Sequence, residues 1–358
     1  MPRHRLFAVF ALMMASALAT GVARADGGSG SGMVQMASSN DSGSDSDGDL
    51  LDPDQVPDGK IGLVAFDNSP FPYHGAIPNE GDGDDAPFLD ARDGSRRGHT
   101  SPRGGVYWES ETYSDRRSLL YIPEGFDIRK PAAIIVYFHG NLALLGRDVV
   151  DRQQVPRQLA ESGLNAVLVA PQFARDALDS SAGTFWQPGA FARFLREAAE
   201  RLAKLQGDRS SRSTFAKLPV ILVAYSGGYL PAAWSLQVGG IGARLRGVVL
   251  LDALYDNADD FADWLSDHQS SAFFFSAFST SSADGNGALQ DMLLKQGGDF
   301  TSDPPHCLHA GDVVFLDTGD RASHNDYVSH AWTDDPLTWL FNRIPGFPRD
   351  GGAKACKL

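Results

Sequence analysis

Five short runs of β-branched and apolar residues, Ala132 to Phe138, Ala166 to Ala170, Val220 to Ala224, Val248 to Leu251 and Val313 to Leu316, alternate with helical or loop-rich stretches. Each run is apolar at successive positions, so a strand built from it would present apolar side chains on both faces. Both faces must then be covered, which predicts a mostly parallel sheet held between two helical layers. A sixth run, Ala272 to Phe275, fits the series less clearly. Between the runs, Phe191, Phe194, Leu195, Ala198, Leu202 and Leu205 recur at helical spacing. The stretch Arg152 to Ser162 is a second helix, closed by Gly163 where a helix C-terminus favours glycine. Upstream, Val106 to Tyr113 and Arg117 to Ile122 flank Ser114-Asp115-Arg116 and read as an antiparallel hairpin. The fold class is therefore α/β: a doubly wound sheet with an N-terminal antiparallel hairpin, in one domain over residues 59–358.

What precedes that domain has a different composition. Residues 1–25 carry Arg3 and Arg5, an apolar run from Leu6 to Val22 and the sequence Ala23-Arg24-Ala25, the three parts of a secretory signal peptide. The mature chain is expected to start at Asp26 and to be exported, to the periplasm or the medium. The apolar run is short for a bilayer span, so no stable membrane anchor is expected. Residues 26–58 hold eight acids, no Lys or Arg, and few large apolar residues. Such a segment cannot bury enough surface to offset its ordering entropy and reads as a disordered acidic linker. The whole chain has a formal charge of −14; removing Arg3, Arg5 and Arg24 with the leader takes it to −17. That charge repels phosphates, so nucleic acid is not an expected partner. In an oxidising compartment the two cysteines, Cys307 and Cys356, are candidates for a disulfide.

The run at Val220 ends in Ala224-Tyr225-Ser226-Gly227-Gly228 and then turns helical. A strand that turns sharply into a helix around one serine is a nucleophile elbow, and it needs small residues two positions to either side. Ala224 and Gly228 meet that need, although glycine is usual at the first. A serine that only caps a helix would look similar.

The order of these features resembles the α/β-hydrolase superfamily over about Val106 to Phe347. The features are the hairpin, the parallel strands, His139-Gly140 after one strand, Ala224-x-Ser226-x-Gly228 after a later one, and a histidine beyond the last. More narrowly, the chain is similar to exported bacterial members of it. The resemblance implies Ser226 as nucleophile, with an oxyanion hole formed by the backbone N–H of Gly227 and of Asn141 or Leu142. His139 is expected to brace that loop. The base is expected just beyond the last strand, at His324, with His330 as the alternative. The acid is either Asp252, which ends the run Val248 to Leu251, or Asp284, beyond the sixth run. Both keep the order Ser, Asp, His.

Only about 20 residues separate Ala253 from Ala272, so no large lid domain is expected, and an open site would admit bulky acyl substrates. Phe173, Trp186 and Trp264 are candidates for an apolar substrate groove. The expected activity is that of a serine hydrolase, carboxylesterase-like, working through an acyl-enzyme. An amidase or peptidase acting on the cell envelope, or a non-catalytic binding protein on the same fold, stays open. No metal and no organic cofactor is expected, since His306-Cys307-Leu308-His309 lacks an acidic ligand nearby. Oligomeric state is not legible.

Overall fold

The computed structural model describes residues 51–79, 83–349 and 356. The leader assigned to 1–25, and the linker as far as residue 50, lie outside the described residues. The linker's last eight residues, 51–58, are described, and Leu51 and Val56 are half-buried against the core.

Eight strands form the central sheet: β1 (Gly59–Ala65), β2 (Arg117–Pro123), β3 (Ala133–Phe138), β4 (Ala166–Pro171), β5 (Val220–Tyr225), β6 (Leu245–Leu251), β7 (Phe273–Ser279) and β8 (Val313–Gly319). Their order is β1-β2-β4-β3-β5-β6-β7-β8. The pairs β1·β2 and β2·β4 are antiparallel, and the others are parallel. This is the α/β-hydrolase sheet. From β3 the chain first winds outward to β4, then returns to β5 on the other side of β3. That reversal opens a crevice beyond the carboxyl ends of β3 and β5.

Side chains alternate between the two layers. Ile134, Val136 and Phe138 point into one core with α2 (Ala190–Gln206), α3 (Tyr229–Gln237), α4 (Ala258–His268) and α5 (Ala283–Lys295). Ile135 and Tyr137 point into the other, with a π-helical segment (Leu145–Arg152), α1 (Val155–Glu161) and α6 (Pro336–Phe341). The sixth apolar run is strand β7. Between β6 and β7 the chain makes only the helix α4, so no lid domain is inserted there. Cys307 and Cys356 are joined, which ties the tail to the loop before β8.

The antiparallel pair at the start of the domain is not the one expected. β2 pairs with β1, Ile61 opposite Tyr121 and Leu63 opposite Leu119. Val106–Trp108 pairs instead with Arg96–Thr100, in a separate three-stranded sheet with Ala91–Asp93. Glu109–Thr112 coils into a helical turn. The physical reason lies at Ser114-Asp115-Arg116. Ser114 Oγ donates back to the Ser110 carbonyl, and the Asp115 carboxylate accepts from the Arg117 N–H at 2.8 Å and from its guanidinium. These contacts close a helical turn onto the start of β2 and leave no hairpin ladder.

The three aromatic groove candidates are core residues. Trp186 is 5% exposed and lies with its ring 5.4 Å from Tyr73 and 5.7 Å from Phe88. Phe173 packs edge-on to Phe138, and Trp264 stacks on His268 against the sheet. Large rings stabilise most when fully removed from water, and the residues before β2 supply Tyr73 and Phe88 to cover Trp186. Trp186→Ala is therefore expected to lower the unfolding free energy in urea by about 3–5 kcal/mol. Wild-type stability in that variant would contradict the packing.

Candidate active site

Strand β5 delivers Ser226 with φ +53°, in the left-handed region that a serine rarely occupies. The turn is possible because two glycines stand close by. A Cβ on Gly228 would come within 2.5 Å of the Phe138 carbonyl oxygen, and one on Gly140 within 2.7 Å of Ser226 Cβ. The elbow and the β3 loop are thus pressed together. Asp252 leaves β6 in the same manner, with φ +42°. Because Tyr225 is in register with Leu251, Ser226 and Asp252 emerge side by side from neighbouring strands.

His324 joins them from beyond β8. It opens a short 3-10 segment, His324–Val328, whose N-cap Ser323 forms a reciprocal capping box with Asp326. Its Nε2 lies 2.7 Å from Ser226 Oγ and its Nδ1 2.6 Å from Asp252 Oδ2. A carboxylate only accepts, so Nδ1 carries the proton and Nε2 accepts from the serine hydroxyl. Tyr225 stacks on the imidazole with ring centroids 5.1 Å apart, and its hydroxyl donates to the His324 carbonyl at 3.2 Å. Tyr255 places its hydroxyl 3.3 Å from Nδ1. The two competing residues stand elsewhere. Asp284 is in the first turn of α5, and the exposed His330 pairs with Asp326 at 3.0 Å.

Asp252 is fully buried, a position that normally favours the neutral acid. Here the charge is met from the segment that follows β7. Ser279 donates to Oδ1 through its N–H and its hydroxyl, both at 3.0 Å, Ser282 donates to the same oxygen through its hydroxyl, and Ser281 donates to Oδ2 through its hydroxyl at 2.9 Å. Burial raises the pKa of Asp252, but the hydrogen bonds from His324, Ser282 and Ser279 outweigh it and hold the group at about 2. This serine cage was not singled out from sequence. Its signal is Ser279-Thr280-Ser281-Ser282, a hydroxyl-rich run at the end of a buried strand.

The oxyanion side resolves one alternative. The Leu142 N–H donates to the Ala177 carbonyl at 2.8 Å, so Leu142 is not available as a donor. Of the two β3-loop amides that leaves the Asn141 N–H as the candidate beside the Gly227 N–H. The Asn141 side chain lies against Gly227, its Oδ1 accepting from Ser180 Oγ at 3.1 Å. His139 sits beneath this loop and is fully packed. Its Nδ1 donates to the Gly140 carbonyl at 2.7 Å, and its Nε2 accepts from the Phe173 N–H at 2.9 Å and from Gln172 Nε2 at 3.0 Å. Burial lowers its pKa, which keeps this arrangement neutral. Gln172, at the end of β4 and also not singled out from sequence, further ties the loop to Ala143 and Leu145. Among the described residues the one group of possible metal ligands is His306, Cys307 and Cys356, and its two sulfurs are bonded to each other.

No family model and no curated protein matches this sequence. Solved structures that resemble it include a feruloyl esterase module from Clostridium thermocellum, 15% identical, covering 76% of this chain and 97% of its own, with a TM-score of 0.39. An S-formylglutathione hydrolase from Agrobacterium tumefaciens is 12% identical, covering 71% and 97%, at 0.41. An esterase from Thermogutta terrifontis is 13% identical, covering 62% and 84%, at 0.36. Likeness at this level carries no argument about chemistry.

The cage makes a prediction. A carboxyl group held near 2, below its ordinary 3.8, contributes stability that is fully present above the higher value and is lost as pH falls toward the lower. Replacing both Ser279 and Ser282 by alanine removes two hydroxyl donors and leaves the Ser279 N–H in place. The Asp252 carboxyl carbon, followed by NMR, is expected to titrate at higher pH than in the wild type, and acid unfolding to begin earlier. An unchanged titration would show that the hydroxyls do not hold the charge.

Proposed function

We propose that this chain is an exported serine hydrolase that cleaves carboxylic esters through an acyl-enzyme on Ser226. The observation that carries this reading is the unbroken relay from Ser226 Oγ through His324 to Asp252, at 2.7 and 2.6 Å. The Ser226 oxygen attacks the acyl carbon while His324 Nε2 takes the hydroxyl proton. The buried Asp252 carboxylate stabilises the imidazolium that forms. The carbonyl oxygen becomes an oxyanion and is met by the N–H groups of Gly227 and Asn141, at the start of the turn leading into α3. The imidazolium then protonates the leaving alcohol. Water, activated by the same histidine, attacks the acyl-enzyme and releases the acid, with Ser226 regaining its proton.

Two further features support the reading. Backbone strain of the kind seen at Ser226 costs about 1–3 kcal/mol and clusters at functional sites. Leu142 and Leu178, 46% and 40% exposed, stand on the two segments joined by the Leu142–Ala177 hydrogen bond and offer apolar surface to an acyl chain. Export rests on the signal-like residues 1–25 and on the disulfide, which suits an oxidising compartment. N-terminal sequencing of the mature protein is expected to begin at Asp26.

The reading is tested by steady-state hydrolysis of 4-nitrophenyl butyrate beside the matching anilide. The ester is expected to turn over faster than the amide. Ser226→Ala and His324→Ala should each lower kcat at least about 10³-fold, and Asp252→Asn by a comparable factor, while Asp284→Asn should stay within about twofold of wild type. Equal losses from Asp284→Asn and Asp252→Asn would contradict the assignment of the acid. Full activity in Ser226→Ala would remove the proposal.

A further inference from the structure

Beside the relay lies a cationic side chain that the reaction just described does not use. Arg103 sits in the turn between the strands Arg96–Thr100 and Val106–Trp108. The turn is fixed: the Arg103 N–H donates to Ser101 Oγ, the Gly104 N–H donates to the Ser101 carbonyl, and Ser101 Oγ donates to the Leu178 carbonyl at 2.6 Å. The Leu178 N–H in turn donates to the Tyr107 hydroxyl at 3.1 Å. The small N-terminal sheet is thereby stitched to the loop whose Ala177 holds Leu142.

From this turn the Arg103 guanidinium reaches over the Tyr255 ring, 5.8 Å from its centroid. Its charge also opposes the upward push that burial gives the Tyr229 phenol. Both rings belong to the site. Tyr255 contacts His324 Nδ1, Tyr229 begins α3 one turn beyond Ser226, and the two rings meet edge to face with centroids 5.9 Å apart. Of the acids near these rings, Asp252 is occupied by His324 and the serine cage, and the exposed Asp256 accepts from the Asn257 N–H. No carboxylate of the described residues forms a salt bridge with Arg103, in a chain with 45 acids against 31 Lys and Arg. In so acidic a protein, an exposed cation on a fixed turn, set over an aromatic ring beside the relay and lacking a carboxylate, is placed to receive one.

We infer that Arg103 is a specificity-determining residue that binds a carboxylate carried by the substrate, so that the preferred esters are those bearing an anionic group on the acyl or the alcohol side. This rests on the ester-hydrolase reading above and adds the substrate class to it. The guanidinium supplies a planar pair of donors that matches a carboxylate, and the tyrosine rings exclude water from one face. A small or short anionic ester suits the site better than a polyanion, which the acidic surface would repel as a whole.

The test compares matched esters. On the acyl side these are mono-4-nitrophenyl glutarate and 4-nitrophenyl pentanoate; on the alcohol side, 3-carboxyphenyl butyrate and phenyl butyrate. The ratio of kcat/KM, anionic over neutral, is expected to reach about tenfold in one pair. It should fall toward one in Arg103→Gln and be better retained in Arg103→Lys. The same ester pairs are then bound to Ser226→Ala and to Ser226→Ala/Arg103→Gln by calorimetry, a readout that needs no turnover. Loss of the anionic preference in binding with Arg103→Gln supports the inference even if the wild type hydrolyses neither ester, a result that would count only against the hydrolase reading. A ratio near one in both wild-type pairs, or a preference unchanged in Arg103→Gln, overturns it.

Discussion

A buried carboxylate can survive inside a protein only if its charge is answered, and the arrangement around Asp252 shows how this is done. One hydroxyl-rich turn, Ser279 to Ser282, supplies donors to both of its oxygens, and His324 Nδ1 joins Ser281 at Oδ2. An unanswered ionised carboxylate in such a place would cost several kcal/mol and would take up a proton instead. A neutral acid could not hold the Nδ1–H tautomer of His324, and without that tautomer Nε2 could not accept from Ser226. The hydrogen-bond relay that ends at the serine therefore depends on a cage two strands away.

That dependence explains why the parts come from where they do. In a parallel sheet all carboxyl ends point the same way, so loops from β3, β5, β6, β7 and β8 meet along one edge. Neighbouring strands bring Ser226 and Asp252 out together; β7 brings the cage, and β8 the histidine. Three of the positive-φ residues, Leu142, Ser226 and Asp252, lie at these strand ends. The two apolar cores give the rigidity that such backbone requires. The N-terminal residues, through their aromatic cluster and the turn at Ser101, add the wall that carries Arg103.

The sheet was legible because a strand covered on both faces has to be apolar throughout, and Val220 to Ala224 or Ala132 to Phe138 admit little else. Ser226 was legible because an elbow demands small neighbours. The choice between Asp252 and Asp284 was not, since each follows a buried strand, β7 running to Ser279, and only the folded chain brings Asp252 to His324 and leaves Asp284 in the first turn of α5. The pairing partner of β2 was missed for a related reason: Gly59–Ala65 is distant in sequence, while Val106–Trp108 is near, and proximity says nothing about long-range register. Phe173, Trp186 and Trp264 were misplaced because an aromatic ring between two strands reads the same whether it faces solvent or the core. Leu142 was excluded by a hydrogen bond to Ala177, which only the folded loop reveals.

The central claim is that Ser226 is a nucleophile made reactive by its neighbours. It is tested most directly by treating the protein with a fluorophosphonate and locating the adduct by peptide mass spectrometry. The account predicts one stoichiometric adduct, on the peptide that contains Ser226, and none in His324→Ala on the same timescale. An adduct on another residue, or no adduct on Ser226 in the folded wild-type protein, would contradict it.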